Sequence, residues 1–176
     1  MKNIIEKDLE NHIIKFFKNN NWQPLDFQIE AWKSYLRGES GIIQVPTGCG
    51  KTYAALMGPL LKLKDLNFSG GIHILFITPL KALSRDLEKS IINAIQFFNP
   101  KITVGIRNGD TSNYEKRKQI IKPPNILITT PESLTLLIAN KESKRLFSNL
   151  FSIIIDEWHE LMGCKRGNQC ELALSW

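Results

Sequence analysis

The apolar positions of the chain change period along its length. Residues 3–18 place Ile4, Ile5, Leu9, Ile13, Phe16 and Phe17 at the spacing of an amphipathic helix. After the breaker "NNNWQP" the pattern resumes over residues 25–37, and Gly38 closes it. From there short, β-branched apolar runs alternate with helical ones. The runs predict strands at "GIIQV" (41–45), "IHILFIT" (72–78), "KITVGIR" (101–107), "NILITT" (125–130) and "FSIIID" (151–156). The helical spacings predict helices over 51–64, 80–98, 112–121 and 131–140. A closing "NQCELALSW" has apolar helical positions and no cap, the pattern expected of a fragment of a longer chain. The strands are nearly continuous apolar runs, as in a parallel sheet covered on both faces. The expected class is therefore α/β, a three-layer α/β/α arrangement around a mostly parallel sheet. Ligands of such sheets sit beyond the carboxyl ends of the strands.

Composition narrows the function classes. Hydrophobic residues make up 43% and charged residues 23%, enough for an ordinary globular core. No apolar run approaches the roughly 20 residues of a membrane span. The first residues, "MKNIIEKDLE", mix acidic with apolar positions and lack a signal-peptide core, so a cytoplasmic location is expected and no membrane partner. A formal charge of +6 permits a polyanionic partner. Cys49, Cys164 and Cys170 form no CxxC pair, which argues against a disulfide framework or a four-thiolate metal site.

The chemistry begins at "QVPTGCGKT", between a predicted strand and a predicted helix. Gly48 and Gly50 let the backbone turn tightly and bring N–H groups onto phosphate oxygens, with Thr47 and Cys49 completing the loop. Lys51 reaches the outer phosphates, and Thr52 offers its hydroxyl to Mg²⁺. The first glycine of the generic pattern is replaced by Val45, but the strand before and the helix after supply the context the motif needs. This loop gives a reason for "IIIDEWHE" at 153–160, where a strand drives two carboxylates out of its end. Asp156 is expected to hold the Mg²⁺ that Thr52 also binds. Glu157 is expected to orient and deprotonate the attacking water. An acidic helix N-terminus would show the same two residues, and it is the loop that favours the metal reading.

Two further stretches, "ITPLKALSRDLEKS" and "TTPESLTLL", share a strand, Thr-Pro, helix plan. Threonine suits an N-cap and proline the first helical position, so Thr78-Pro79 and Thr130-Pro131 each present a helix N-terminus. Lys81, Arg85 and Lys89 follow at i, i+4 and i+8 on one helix face. A stripe of that kind can equally be a solvated surface. Joined to two helix termini, it suits the backbone phosphates of a single strand, gripped without sequence readout. The charge runs at 114–118 and 141–145 read as solvated.

Together these residues resemble a superfamily 2 helicase. "PLDFQ", with Leu25 and Gln28, looks like the adenine-recognising Q motif; "PTGCGKT" matches motif I, "TPLKALSRD" motif Ia and "NGDT", with Gly109 and Thr111, motif Ic. "TTPESL", with Glu132 and Ser133, matches motif Ib, and "DEWH" matches motif II of the DExH type. The run "DEWHELMGCKRGNQCELALS" is close to the large helicase-related (Lhr) family and its ligase-associated DNA-repair branch.

The resemblance covers residues 20–176 and implies a first RecA-like P-loop NTPase domain, preceded by an N-terminal helix over 1–19. It implies ATP and Mg²⁺ as cofactors, Gln28 at the adenine edge, and His159 coupling nucleotide state to motif III. Motifs Ia, Ic and Ib would track single-stranded DNA in a 3′-to-5′ translocase, with RNA the alternative. Repair ligases or nucleases are possible partners. Cys49 stands where Ser, Thr or Ala is usual, and Asn168 and Cys170 interrupt the familiar run. No motif III to VI follows, so the second RecA-like domain and its arginine finger are expected outside this chain. A fragment without them would be weak in turnover, or a non-catalytic binding half.

Overall fold

The computed structural model describes residues 9–46, 48–64, 70–79 and 81–175, with the side chains of residues 9, 10 and 81–84 outside that description. Thr47, Leu80, residues 3–8 of the first expected helix and Trp176 thus lie outside the described residues. The chain divides into two compact units, Met1–Leu66 with Asn93–Pro100, and Asn67–Ile92 with Lys101–Trp176.

The first unit is helical. A π-helical turn, Leu9–Ile14, leads into α1 (Lys15–Asn19), followed by α2 (Asp26–Leu36) and α3 (Lys51–Lys64). Its core is aromatic. Phe16 lies 5.5 Å from Phe97 and 5.7 Å from Tyr53, ring centre to ring centre, and Phe17 lies 5.3 Å from Trp32. Each large side chain buried in this way contributes about 1.5–3 kcal/mol. α3 runs unbroken through Gly58 and Pro59. Glycine is required there because a Cβ would sit 2.7 Å from the Tyr35 ring, so α2 and α3 pack backbone against ring.

The strand expected at 41–45 does not form. Residues 39–46 have no regular structure, and Ile42 is 91% exposed. The physical reason is pairing: a strand needs a neighbour for its N–H and C=O groups, and the first unit has no strand among the described residues.

The second unit carries a four-stranded, wholly parallel sheet flanked by helices, the RecA-like architecture. Its strands are β1 (Ile74–Ile77), β2 (Val104–Arg107), β3 (Ile126–Thr129) and β4 (Ser152–Ile155), in the order β2-β3-β1-β4. α4 (Lys81–Phe98) links β1 to β2 and passes into the first unit over its last turns. α5 (Asn113–Ile121) links β2 to β3, while α6 (Pro131–Ile138) and α7 (Ser143–Phe147) link β3 to β4. α8 (Trp158–Leu161) and α9 (Lys165–Leu174) follow.

The chain moves two places across the sheet from β1 to β2 and then back. With right-handed crossovers, that reversal puts α4 on one face and α5, α6 and α7 on the other. On the latter face Leu75, Ile77 and Leu127 form one core with Leu134, Leu137, Leu146, Leu161 and Cys170. Strand alternation turns Ile74, Phe76, Ile126 and Ile128 to the opposite face, where all are at most 1% exposed. β1 and β3 are thus buried on both sides, as their unbroken apolar runs require.

α7 and α8 were not expected. Within α7 the charged residues of the 141–145 run are exposed, as expected of a solvated run, while Ser143 and Leu146 turn inward and are buried. α4 opens at Lys81, so Pro79 lies in the bend before it rather than at its first position.

Candidate functional site

Two groups of site residues can be described, one in each unit. In the first, Gly48 and Gly50 have φ of +86° and +81°, values that favour glycine. α3 begins at Lys51, so Lys51 and Thr52 occupy its first turn, where N–H groups have no intrahelical acceptor. The donor set of glycine amides, one ammonium and one hydroxyl fits a polyphosphate with its divalent cation. Cys49 is partly buried, and its N–H donates to the Pro46 carbonyl at 3.4 Å.

Gln28 braces this loop. Its Oε1 accepts from the Leu25 N–H at 2.9 Å, capping α2, while its Nε2 donates to the Gly50 carbonyl at 3.1 Å. The side chain is 3% exposed. Both ends of an amide implied for adenine reading are therefore bonded within the chain, which leaves one N–H and one lone pair for a ligand. Leu25 is 48% exposed at the N-cap of α2.

The second unit brings four expected motifs into one row. The register aligns Arg107 with Thr129, Thr129 with Ile77, and Ile77 with Ile155 at the carboxyl ends of the strands. The next residues along each strand are the "NGDT" turn after β2, Thr130-Pro131 after β3, Thr78-Pro79 after β1 and Asp156-Glu157 after β4. Adjacent strands lie about 4.8 Å apart, so the row spans roughly 15 Å. The carboxylates stand at one end, next to the Thr78 turn.

Each member of the row has its own brace. Asp156 extends the ladder, its N–H donating to the Ile77 carbonyl at 2.8 Å, and its Oδ1 accepts from the Glu157 N–H at 3.0 Å. Glu157 adopts left-handed backbone, φ +48° and ψ +45°, and its side chain is 12% exposed. A glutamate there is strained by about 1–3 kcal/mol, a cost found mainly at functional positions. His159 Nδ1 lies 3.4 Å from Glu157 Oε2, and its Nε2 lies 3.4 Å from Glu160 Oε1.

The Thr-Pro turns are buried. Thr78 is fully buried, and its hydroxyl has no hydrogen-bond partner among the described residues. Thr130 is the N-cap of α6 and Pro131 opens the helix, but the Thr130 hydroxyl donates to Ser133 Oγ at 3.3 Å instead of capping backbone. Pro79, Pro131 and Ser133 are also buried, the Thr78 N–H donates to the Thr129 carbonyl at 3.0 Å, and the two prolines have no N–H, so neither threonine side chain is offered to a ligand at these turns. Arg85 is exposed, while the side chain of Lys81 lies outside the described residues. In the "NGDT" turn Thr111 Oγ1 accepts from the Asn108 N–H at 2.9 Å, and Asn108 Oδ1 accepts from the Asp110 N–H at 2.9 Å, so Gly109 is held exposed at the tip.

One participant was not expected. Arg166, in the first turn of α9, donates from Nε to Glu132 Oε1 and from Nη2 to the Pro79 carbonyl, both at 2.5 Å. Burial alone would raise the Glu132 carboxyl. The guanidinium and the residue's own N–H are the main groups that outweigh it and hold Glu132 below the ordinary value. A lone arginine carries no signal in sequence for a contact made by tertiary packing.

Among the described residues no three His, Cys, Asp or Glu side chains cluster as a metal site, and no helix is long and apolar enough to cross a membrane. A cation at Asp156 would thus be held by few protein ligands, as Mg²⁺ bound with a phosphate substrate is.

The chain matches the DEAD/DEAH box helicase family over residues 25–175. The ATP-dependent helicase Lhr-Core of Sulfolobus acidocaldarius is 38% identical over 141 residues, 74% of this chain and 16% of that protein. The Lhr helicase/probable uracil glycosylase of Mycolicibacterium smegmatis is 36% identical over 163 residues, 86% of this chain and 11% of that protein. Among solved structures, the Mycobacterium smegmatis helicase Lhr bound to ssDNA and AMP-PNP superposes with a TM-score of 0.82 at 33% identity, over 91% of this chain and 22% of that one. The chain therefore spans 16% and 11% of the length of these two relatives. The family match across most of the chain, on a parallel sheet whose carboxyl edge carries the motifs in one row, establishes that the chain belongs to the DEAD/DEAH box helicases and is similar to those of the Lhr type.

Proposed function

We propose that this chain is the ATP-binding motor domain of a 3′-to-5′ DNA helicase or translocase acting in DNA repair, with residues 20–176 forming its first RecA-like domain and 1–19 a preceding helix. The observation that carries the reading is the row at the sheet edge, where the acidic strand end neighbours the turns assigned to a nucleic-acid strand. A soluble, cytoplasmic setting and a second RecA-like domain supplying an arginine finger belong to the same proposal.

Gly48, Gly50 and the first-turn amides of α3 would bind the phosphates, with Lys51 on the outer ones. Thr52 and Asp156 would hold Mg²⁺, which supplies neutralisation of the charge that develops on the phosphate oxygens. Glu157 would orient the attacking water and take its proton. His159, beside the Glu157 carboxylate, would carry the state of that group toward the next motif. The backbone amides of Ser133 and Gly109, with the Arg85 face, would hold strand phosphates without reading bases.

Steady-state ATPase with Mg²⁺, with and without single-stranded DNA, tests the reading beside Lys51→Ala. The reading predicts little turnover by this chain alone, and DNA-stimulated turnover once the second domain is joined, lost in Lys51→Ala. DNA-independent turnover that survives Lys51→Ala would contradict it. Competition between matched DNA and RNA strands decides the nucleic acid, since no residue of the row is specific for a 2′-hydroxyl.

A further inference from the structure

Arg166 lies outside every motif that assigns a role in this chain, yet it touches two of them. It sits on α9, and one guanidinium spans the Glu132 carboxylate, at the start of α6, and the Pro79 carbonyl, in the turn after β1. These are the two Thr-Pro turns, on adjacent strands of the sheet. A planar fork with fixed donor directions sets the separation of its two acceptors, which a single flexible ammonium cannot do.

The neighbouring residue packs the clamp against α8, the helix that follows the carboxylates. A Cβ on Gly167 would lie 2.0 Å from the Leu161 carbonyl oxygen, so only glycine lets the first turn of α9 rest on the end of α8. α8 begins at Trp158, directly after Asp156 and Glu157. Arg166 and Gly167 therefore join three segments: α8, and both turns assigned to the strand.

We infer that Arg166 is a positioning residue, which fixes the spacing of the two Thr-Pro turns at the sheet edge assigned to a single strand, and which ties that spacing to α8 through Gly167. The inference rests on the strand-binding reading of those turns. Two of the five guanidinium N–H groups are committed within the chain, and the role inferred for Arg166 is positioning and not contact with the strand itself.

The test is binding of a fluorescent oligothymidylate to the full chain by anisotropy over a range of salt, for wild type, Arg166→Ala, Arg166→Lys and Glu132→Gln. It is paired with amide hydrogen exchange. The clamp predicts that Arg166→Ala weakens binding roughly twofold to thirtyfold, with the salt slope unchanged. Lysine at 166 does not restore the affinity, and Glu132→Gln shifts it the same way. The Leu134 amide, which donates to the Thr130 carbonyl at 2.9 Å, exchanges faster in Arg166→Ala. The Asp156 amide, bonded to Ile77, keeps its protection and reports that the sheet is intact.

Wild-type affinity and wild-type Leu134 exchange in Arg166→Ala would overturn the inference. So would full rescue by lysine, or a salt slope lower by about 1, the mark of a direct phosphate contact. A wild-type chain that binds no oligonucleotide would contradict the strand reading itself, and Leu134 exchange would still decide whether Arg166 holds the turn.

Discussion

The Gln28 side-chain amide donates to the carbonyl of Gly50, so the residue expected to read a base also holds the phosphate loop. Gly50 has φ +81°, and a Cβ there would fall 2.6 Å from Gln28 Nε2. In the proposed reading, one side chain thus serves both base and loop. Gln28→Ala is expected to weaken nucleotide binding roughly twofold to tenfold, the worth of one hydrogen bond, even for a triphosphate without a base. Gly50→Ala is expected to cost about 1–2 kcal/mol of stability from the left-handed backbone alone. Titration with inorganic triphosphate and with ATP separates the two: an effect confined to ATP would mean that Gln28 reads the base and does not shape the loop.

Glu157 keeps a backbone conformation that suits glycine. Glu157→Gly is expected to be more stable than Glu157→Ala by about 1 kcal/mol, the reverse of the order found in helices. Both abolish hydrolysis in a two-domain protein. Chemical denaturation of the pair measures the difference, and equal stabilities would mean that the loop relaxes when the carboxylate is removed.

Gly167→Ala places a methyl group on the Leu161 carbonyl oxygen, which is backbone and cannot turn aside. A loss of about 1–3 kcal/mol is expected, as for other overpacked contacts. Thermal unfolding shows it as a lowered Tm. An unchanged Tm would mean that α9 does not rest on α8 in solution.

His73 is 3% exposed, and burial pushes its imidazole below the ordinary value of 6.5 despite a hydrogen bond with the Gly71 backbone. The unfolded chain takes up a proton near that value while the folded chain stays neutral, so unfolding is favoured as pH falls. The stability due to neutral His73 is complete above about 6.5 and declines below it, until the folded imidazole also protonates. Tm measured from pH 7.5 to 5.5 should fall for the wild type and fall less for His73→Gln. Parallel profiles would remove His73 as the cause.

Much of this architecture is legible in the sequence because local periodicity and burial agree there. α3 spans the expected residues 51–64, Gly58 and Pro59 included. All four strands of the sheet lie within their predicted runs. The misses are tertiary. Residues 41–45 have strand composition, but their unit offers no strand to pair with. The Thr130 cap falls at the right residue, yet its hydroxyl bonds Ser133, an alternative that composition cannot rank. The motifs could be named from the sequence, but their alignment on one edge follows from the order β2-β3-β1-β4, which is a property of pairing. The role of Arg166 is not legible in the sequence, since its acceptors are distant in the chain and one of them is backbone.

The central claim is that this chain binds MgATP through the loop at Gly48–Thr52 and uses Glu157 only for the chemistry that follows. Equilibrium binding of a fluorescent ATP analogue to wild type, Lys51→Ala and Glu157→Gln tests it most directly. The account predicts Mg²⁺-dependent binding in the wild type, its loss in Lys51→Ala, and wild-type affinity in Glu157→Gln. Binding that survives Lys51→Ala, or that disappears with Glu157→Gln, would contradict it.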